Sequence, residues 1–217
     1  MSYWMWIGID DMRAYIATIG GEIVSCALGG CGGAPTRLVS GSTMQSANGF
    51  FAQLAVDSAN VYWGLGPPPG FYSMTVTHGF VLSCAGTGQL PAGQILECAK
   101  GGCGDNPTTL VSGLNCPTGV VTDGASVYFS EPEYWGGAPT PLLGDADVGR
   151  IAKCAVTGCS NQATTLADKL NNPHGVAVDA SYVYWADFGS GGTVPAPRTT
   201  PPPPAYSDDG RIMRIAK

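Results

Sequence analysis

The chain has 217 residues, of which 44% are hydrophobic and 12% charged, and its 10 basic and 16 acidic residues give a formal net charge of −6. A nucleic-acid-binding surface needs clustered lysine and arginine, and the scattered basic residues here argue against such a partner. No apolar stretch approaches the roughly 18 residues that a membrane span requires, and the apolar start at 1–7 lacks the basic segment of a signal peptide.

A short pattern recurs four times along the chain. It consists of an apolar alternation that ends in Asp, a tight turn, and a second alternation that contains an aromatic residue. Each copy predicts two short antiparallel strands, and a supersecondary unit that recurs along a chain predicts a repeat architecture. The Asp of each copy, in its fixed place before a turn, is predicted to stabilise the repeat and not to form a catalytic set. These residues are Asp10, Asp57, Asp123 and Asp179.

One full unit contains four strand-like segments with alternating hydrophobicity and almost no helical periodicity. In the third unit the segments are 119–123, 126–130, 148–153 and 164–167. Four strands per unit predict an all-β fold, a β-propeller of four-stranded blades. We expect one domain, 1–217, with repeats at approximately 5–41, 50–113, 118–168 and 174–217.

The fourth repeat resembles a known class of propeller repeats. Its segments Pro173–Asp179, Tyr182–Asp187 and Gly210–Ile215 resemble the YWTD and NHL class of propeller repeats. The chain is also similar to Cys-rich propeller proteins of unknown function predicted in myxobacteria. The pattern weakens in the first unit, where Tyr15–Ala17 stands in for Tyr-Trp-Thr. The resemblance implies a structural repeat, and it says little about chemistry.

Members of that class usually have six or seven blades, whereas this chain shows about four repeats, and the last lacks its outer strand. Trp4 and Trp6 lie too close to Ile9 to supply that strand, and we expect them to extend the first inner strand. The sequence therefore predicts a partial or open propeller. Three explanations stay open, namely a segment of a longer propeller, a self-closed ring of four blades, and a dimer that completes the ring.

Three cysteine pairs share the spacing Cys-x4-Cys between the third and fourth strands of their units. A hairpin loop of this length places its flanking residues opposite each other, near disulfide reach. Zinc is the rival interpretation, but these turns lie on different blades and zinc needs four converging ligands; free buried thiols are a second alternative. We expect the bridges Cys26–Cys31, Cys98–Cys103 and Cys154–Cys159, and a fourth between Cys84 and Cys116.

An even cysteine count in which every residue can be paired predicts an oxidising compartment, so we expect a secreted, periplasmic or cell-surface protein. The long insertions all fall between second and third strands, which places them on one face of the disc. We expect this face to bind a protein, a peptide or a glycan. Aromatic residues that could stack on such a ligand are Phe71, Tyr72, Tyr134 and Trp135.

His174 is the candidate for an alternative, enzymatic function. It precedes the fourth inner strand, in a Pro-His-Gly sequence that resembles the entry strands of virginiamycin B lyase-like propellers. That resemblance implies a metal-dependent lyase or lactonase with His174 as base or ligand at the channel mouth. The matching positions are Gln53, Thr118 and Met5, which are not a convincing metal or acid–base set. The sequence predicts neither a cofactor nor a metal.

Overall fold

The computed structural model describes residues 4–18, 21–41, 51–66, 93–114, 117–132, 149–170, 173–187 and 210–217. These residues form four antiparallel sheets in which strands that are consecutive in the chain pair with each other. Sheets 1, 2 and 3 have four strands each, and sheet 4 has three. The all-β class is confirmed, and four such meanders in succession are consistent with a propeller-like fold.

Sheet 1 contains β1 (Trp4–Ile9), β2 (Arg13–Thr18), β3 (Ile23–Ala27) and β4 (Thr36–Val39). Sheet 2 contains β5 (Phe51–Val56), β6 (Asn60–Leu65), β7 (Gly93–Ala99) and β8 (Thr108–Leu114). Sheet 3 contains β9 (Val120–Thr122), β10 (Ser126–Glu131), β11 (Gly149–Ala155) and β12 (Thr164–Leu170). Sheet 4 contains β13 (Pro173–Val178), β14 (Tyr182–Asp187) and β15 (Arg211–Ala216).

The sheets stack face to face, and three apolar clusters fill the interfaces between them, which we call seams 1–2, 2–3 and 3–4. The strand β10 shows how one short alternation serves two seams. Val127 and Phe129 belong to the cluster of seam 2–3, whereas Tyr128 between them belongs to the cluster of seam 3–4. Because successive side chains point to opposite faces, a strand between two neighbouring sheets must be apolar on both sides. This requirement explains the nearly continuous apolar runs of the repeat.

The Asp of each repeat closes the turn between the first and second strands, as predicted. Asp123 Oδ1 accepts hydrogen bonds from the backbone N–H groups of Ala125 and Ser126, at 3.0 and 2.9 Å. Its Oδ2 accepts a hydrogen bond from the Tyr128 hydroxyl at 3.0 Å. The same two-sided arrangement recurs in the other three sheets, in the pairs Asp10–Tyr15, Asp57–Tyr62 and Asp179–Tyr184.

The three predicted hairpin disulfides are confirmed. Cys26–Cys31, Cys98–Cys103 and Cys154–Cys159 are bonded, with Cα–Cα distances of 5.3, 5.4 and 5.4 Å. The zinc and free-thiol alternatives are therefore wrong for these six cysteines. Three disulfides indicate an oxidising environment. Cys84 and Cys116 lie outside the described residues.

The disulfide hairpins also fasten neighbouring sheets together. Asp105 in the hairpin of sheet 2 accepts a hydrogen bond from Ser40 N at the end of the outer strand of sheet 1, at 2.6 Å. Asn161 in the hairpin of sheet 3 does the same for Ser112 N of sheet 2, at 3.0 Å. Both acceptors have positive φ angles, 63° and 61°, which Asp and Asn tolerate better than most residues. The hairpins of sheets 2 and 3 therefore make polar contacts across seams 1–2 and 2–3.

Lysines that follow the third strand of a sheet reach back to the Asp turn of the preceding sheet. Lys100 of sheet 2 pairs with Asp10 at 2.6 Å, and Lys217 of sheet 4 pairs with Asp123 at 2.7 Å. The Lys100 ammonium, together with backbone N–H donors, holds the pKa of Asp10 well below its ordinary value. At seam 2–3 the same position holds Val156, which packs against the apolar cluster instead.

Candidate functional site

The two ends of the strands form two different edges of the sheet array. The hairpin edge carries the Asp turns and the disulfide hairpins. The loop edge lies at the opposite end, where second strands end and third strands begin. First strands of successive sheets are neighbours, and the Gln53 N–H donates to the Thr118 carbonyl across seam 2–3 at 3.1 Å. The four sheets therefore present their loop edges on the same side.

The chain leaves and returns at the loop edge in each of the three long second-to-third-strand connections. It leaves after Leu65 and returns at Gly93, and the corresponding connections join Glu131 to Gly149 and Asp187 to Arg211. The turns at the hairpin edge are short in comparison. The four aromatic candidates Phe71, Tyr72, Tyr134 and Trp135 belong to these connections and lie outside the described residues.

His174 lies at the loop edge of sheet 4. It is the second residue of β13, which begins at Pro173, so it lies within the strand and not just before it as the sequence suggested. It pairs with Ala186, and a bulge at Gly175, where φ is +52°, separates it from Val176. The side chain is half-buried, and desolvation lowers the pKa of His174 to about 4. The imidazole is therefore neutral at pH 7.

A network of buried hydroxyls lies on the neighbouring sheet 3, at Thr118 and Ser130. Thr118 is five residues before Asp123, as His174 is before Asp179. The hydroxyls of Thr118 and Ser130 are 3.1 Å apart, and the Gly119 N–H donates to Ser130 Oγ at 2.9 Å. Buried polar groups of this kind are expected to be hydrogen-bonded, and these bonds fix the entry of β9.

Among the described residues of the loop edge, the most deeply buried charge is Glu131, at the end of β10. Its carboxylate is 3% exposed and accepts a hydrogen bond from Arg150 Nε at 2.5 Å across the β10–β11 pair. Arg150 also donates to the Thr165 hydroxyl at 3.3 Å. Breaking a buried pair leaves an uncompensated charge, which is strongly destabilising. This ion pair therefore holds the end of β10 in place beside the long connection.

Sequence reasoning did not single out Glu131 or Asp187, although both lie eight residues after the Asp of their repeats. The same position holds Thr18 in sheet 1 and Leu65 in sheet 2. Aligning the repeats on their Asp residues would have found this signal. The structure brings carboxylates, hydroxyls and one neutral imidazole to the loop edge of sheets 3 and 4.

In the described ranges, no three His, Cys, Asp or Glu side chains converge as metal ligands would. Gln53 and Thr118, which the sequence matched to His174, meet through their backbones as stated above. The side chain of Met5 is outside the described part. The described residues also include no helix long and apolar enough to be a membrane span.

Comparison with known proteins adds little to this geometry. No family model matches the chain, and no curated protein matches it. Among solved structures, a luciferin-regenerating enzyme is 12% identical, with 86% of this chain and 70% of that chain covered and a TM-score of 0.36. A structural similarity this low supports no conclusion about function.

The lowered pKa of His174 predicts a pH-dependent stability. The unfolded chain takes up a proton near pH 6.5, whereas the folded chain does so only near pH 4. The free energy of unfolding should therefore fall as the pH falls from 6.5 to 4, by about 2 kcal/mol after allowance for partial exposure. Urea titrations of the wild type and of His174→Gln at pH 7 and pH 4.5 measure this effect.

The difference between the two proteins isolates His174, because other titrating groups are common to both. Glu97, whose pKa is raised by burial, acts in the opposite direction, since it favours the folded state as the pH falls. We expect the stability of His174→Gln to fall less than that of the wild type over this range. An equal fall in both proteins would contradict the prediction.

Proposed function

We propose that this protein is an extracytoplasmic binding module that recognises a protein, peptide or glycan through its loop edge. The observation that carries the proposal is the segregation of connections. Three long connections start and end at the loop edge, whereas the hairpin edge holds short turns closed by disulfides and Asp residues. Binding loops on β scaffolds are commonly carried in this way, on one side of a rigid frame.

The rigidity of the frame supports this function. Each seam has an apolar cluster of buried side chains, and the polar contacts of the hairpins and lysines cross the seams as well. A scaffold that holds its loops in place reduces the entropy lost when a ligand orders them. A scaffold fixed by disulfides also suits a secreted, periplasmic or cell-surface protein.

The proposal includes two finer points of architecture. We take the sheets to be blades of a propeller of the YWTD or NHL type, and we take the array of four sheets to be open. Exposure supports an open array, because Ile7 of sheet 1 and Ile212 of sheet 4 are 63% and 78% exposed. In a ring closed by contact between these two sheets, both side chains would be covered.

The aromatic residues of the long connections are the proposed contact residues. Rings of Phe, Tyr and Trp supply apolar area and, for Tyr and Trp, a polar atom, which suits both sugar rings and peptides. The test is a screen of the full chain against a glycan array and a displayed peptide library, followed by affinity measurement of the best binders. The variants are Phe71→Ala/Tyr72→Ala and Tyr134→Ala/Trp135→Ala.

We expect at least one of these double variants to weaken binding tenfold or more, as hot-spot aromatic residues do (about 2 kcal/mol). The control is Thr164→Ala, which changes an exposed residue of β12 at the hairpin edge and should leave the affinity unchanged. The proposal fails if neither library yields a binder, or if the binders withstand both double variants.

His174 favours a second candidate function, a metal-dependent lyase or lactonase. The supporting observation is that desolvation keeps its imidazole neutral, which is the form that binds metal or accepts a proton. Calorimetric titration with Zn²⁺, Mn²⁺ and Mg²⁺ tests this candidate. Micromolar binding that His174→Ala abolishes would favour it, whereas binding that is absent or unchanged in the variant would remove it.

A further inference from the structure

One repeat position has a different environment in sheet 4 than in the other sheets. The isoleucine four residues before the alanine that ends the third strand is 0% exposed in sheets 1, 2 and 3, at Ile23, Ile95 and Ile151. Its equivalent in sheet 4, Ile212, is 78% exposed. The first three are covered by the following sheet. We call the face of sheet 4 that points away from sheet 3 the far face. It therefore exposes the apolar residue that a following sheet covers in sheets 1, 2 and 3.

Sheet 1 exposes apolar residues on its opposite side. We call this side, which in sheets 2, 3 and 4 points toward the preceding sheet, the near face. Ile7 and Ile9 occupy the positions of Leu54 and Val56, which pack in seam 1–2 on the near face of sheet 2. In sheet 1 the two isoleucines are 63% and 65% exposed. All the large hydrophobic side chains that are exposed in the described ranges belong to sheets 1 and 4. They are Ile7, Ile9, Met12, Leu28 and Ile212.

The Asp turn of sheet 4 is also available for a contact of the kind made at the seams. Asp10 and Asp123 each bind a lysine of the following sheet. Asp57 faces seam 2–3, where Val156 occupies the position of those lysines. Asp179 forms the same turn and accepts a hydrogen bond from the Tyr184 hydroxyl at 2.7 Å. Sheet 4 is the last sheet that the structure describes, so the described residues provide no lysine of a following sheet for Asp179.

Sheet 1 carries the residues that such a contact needs. Its residue at the position of Lys100 and Val156 is Leu28, which is 55% exposed. An apolar residue already serves at this position in seam 2–3, where Val156 packs against the cluster that contains Tyr62. A seam between sheet 4 and sheet 1 would therefore match seam 2–3 in chemistry, with Leu28 near Tyr184 and with Ile7 and Ile9 against Ile212.

We propose that the far face of sheet 4 binds the near face of sheet 1 of a second copy of this chain. This inference rests on the proposal above that the array is open. The two faces of one chain do not cover each other, because both stay largely exposed. Two copies arranged head to tail make two such seams at once and form a closed ring of eight sheets, within the range of about four to eight blades that propellers use.

The first measurement is the mass of the full chain in solution, by sedimentation equilibrium from about 1 to 100 µM. We expect a species of twice the 22.3 kDa chain mass. A monomer over the whole range would overturn the proposal. Open polymers larger than a dimer would also overturn it, since the seams would then fail to close a ring.

The variants Ile212→Glu and Ile7→Glu distinguish this arrangement from other dimers. Each places a carboxylate in both seams of its own dimer, and we expect each to weaken dimerisation at least tenfold. Because both residues are largely exposed, the folded chain should tolerate the substitutions, and circular dichroism checks this. Thr164→Glu, on an exposed position of sheet 3, adds the same charge away from both faces and should leave the dimer intact.

Mixing the two variants gives the decisive result. A mixed dimer has one seam with both natural isoleucines and one seam with both substitutions, so the mixture should dimerise more strongly than either variant alone. A dimer that pairs two like faces would be weakened by one variant only and would gain nothing from mixing, which would overturn the proposal. Loop-edge binding is measured separately and with different variants, so either proposal can fail without the other.

Discussion

Trp63→Ala is expected to lower the free energy of unfolding by about 3–5 kcal/mol. Trp63 is 0% exposed and is among the largest side chains buried at seam 1–2, where it packs with residues of both sheets. Truncation to alanine removes most of that apolar contact and leaves a cavity that two rigid sheets cannot easily close. Denaturation by urea under oxidising conditions, followed by far-ultraviolet circular dichroism, measures the change.

Trp63→Phe is the matched control for this variant. The indole N–H of Trp63 is buried and has no hydrogen-bond partner among the described residues, and an unsatisfied buried donor costs about 1–3 kcal/mol. Sheet 3 has Phe129 at the same repeat position, also 0% exposed. We therefore expect Trp63→Phe to cost less than about 1.5 kcal/mol. A loss below 1 kcal/mol in Trp63→Ala would contradict the view that seam 1–2 is a close-packed core.

The features that the sequence predicted correctly are local ones. Strand positions, the Asp turns and the three hairpin disulfides depend on residues a few positions apart, so alternation and spacing are enough to find them. The extension of β1 to Trp4 was predicted for the same reason. Repetition strengthened each prediction, because the same pattern had to explain four stretches of chain.

The contacts across the seams were not predicted, because each joins residues far apart in the chain. Lys100 and Asp10 are 90 positions apart, and Asp105 bonds to a residue 65 positions away. Their signal was present only in the alignment of repeats, for example in the lysine that directly follows the third strand of sheets 2 and 4. The burial of Glu131 and the exposure of Ile212 depend on neighbouring sheets, which a single repeat does not reveal.

Gly149→Ala is the second variant with a large expected effect, and it acts on the loop edge itself. A Cβ on Gly149 would lie 2.7 Å from the backbone oxygen of Leu170, and it would also overlap the Pro173 ring of the next sheet. The oxygen cannot move freely, because Gly149 and Leu170 are partners in the β11–β12 pair. We expect the free energy of unfolding to fall by about 1–3 kcal/mol, as in other overpacked sites.

Gly101→Ala is the matched control, because, apart from its chain neighbours, no heavy atom of the described residues lies within 4 Å of the Cβ it would add. Its effect should stay within about 0.5 kcal/mol. A loss of stability in Gly149→Ala no larger than that in Gly101→Ala would show that seam 3–4 is not closely packed around Gly149.

The same variant connects the packing of the seam to the candidate site. Pro173 directly precedes His174, so a shift of Pro173 away from residue 149 should admit water to the imidazole. Since desolvation is what lowers the pKa of His174 to about 4, that pKa should rise toward 6.5 in Gly149→Ala. Gly93 packs in the same way against Pro117 at seam 2–3, so Gly93→Ala should destabilise the fold and leave the His174 pKa unchanged. Titration of the His174 ring protons by NMR separates the two variants, and equal pKa values in both would contradict the link between the seam and the site.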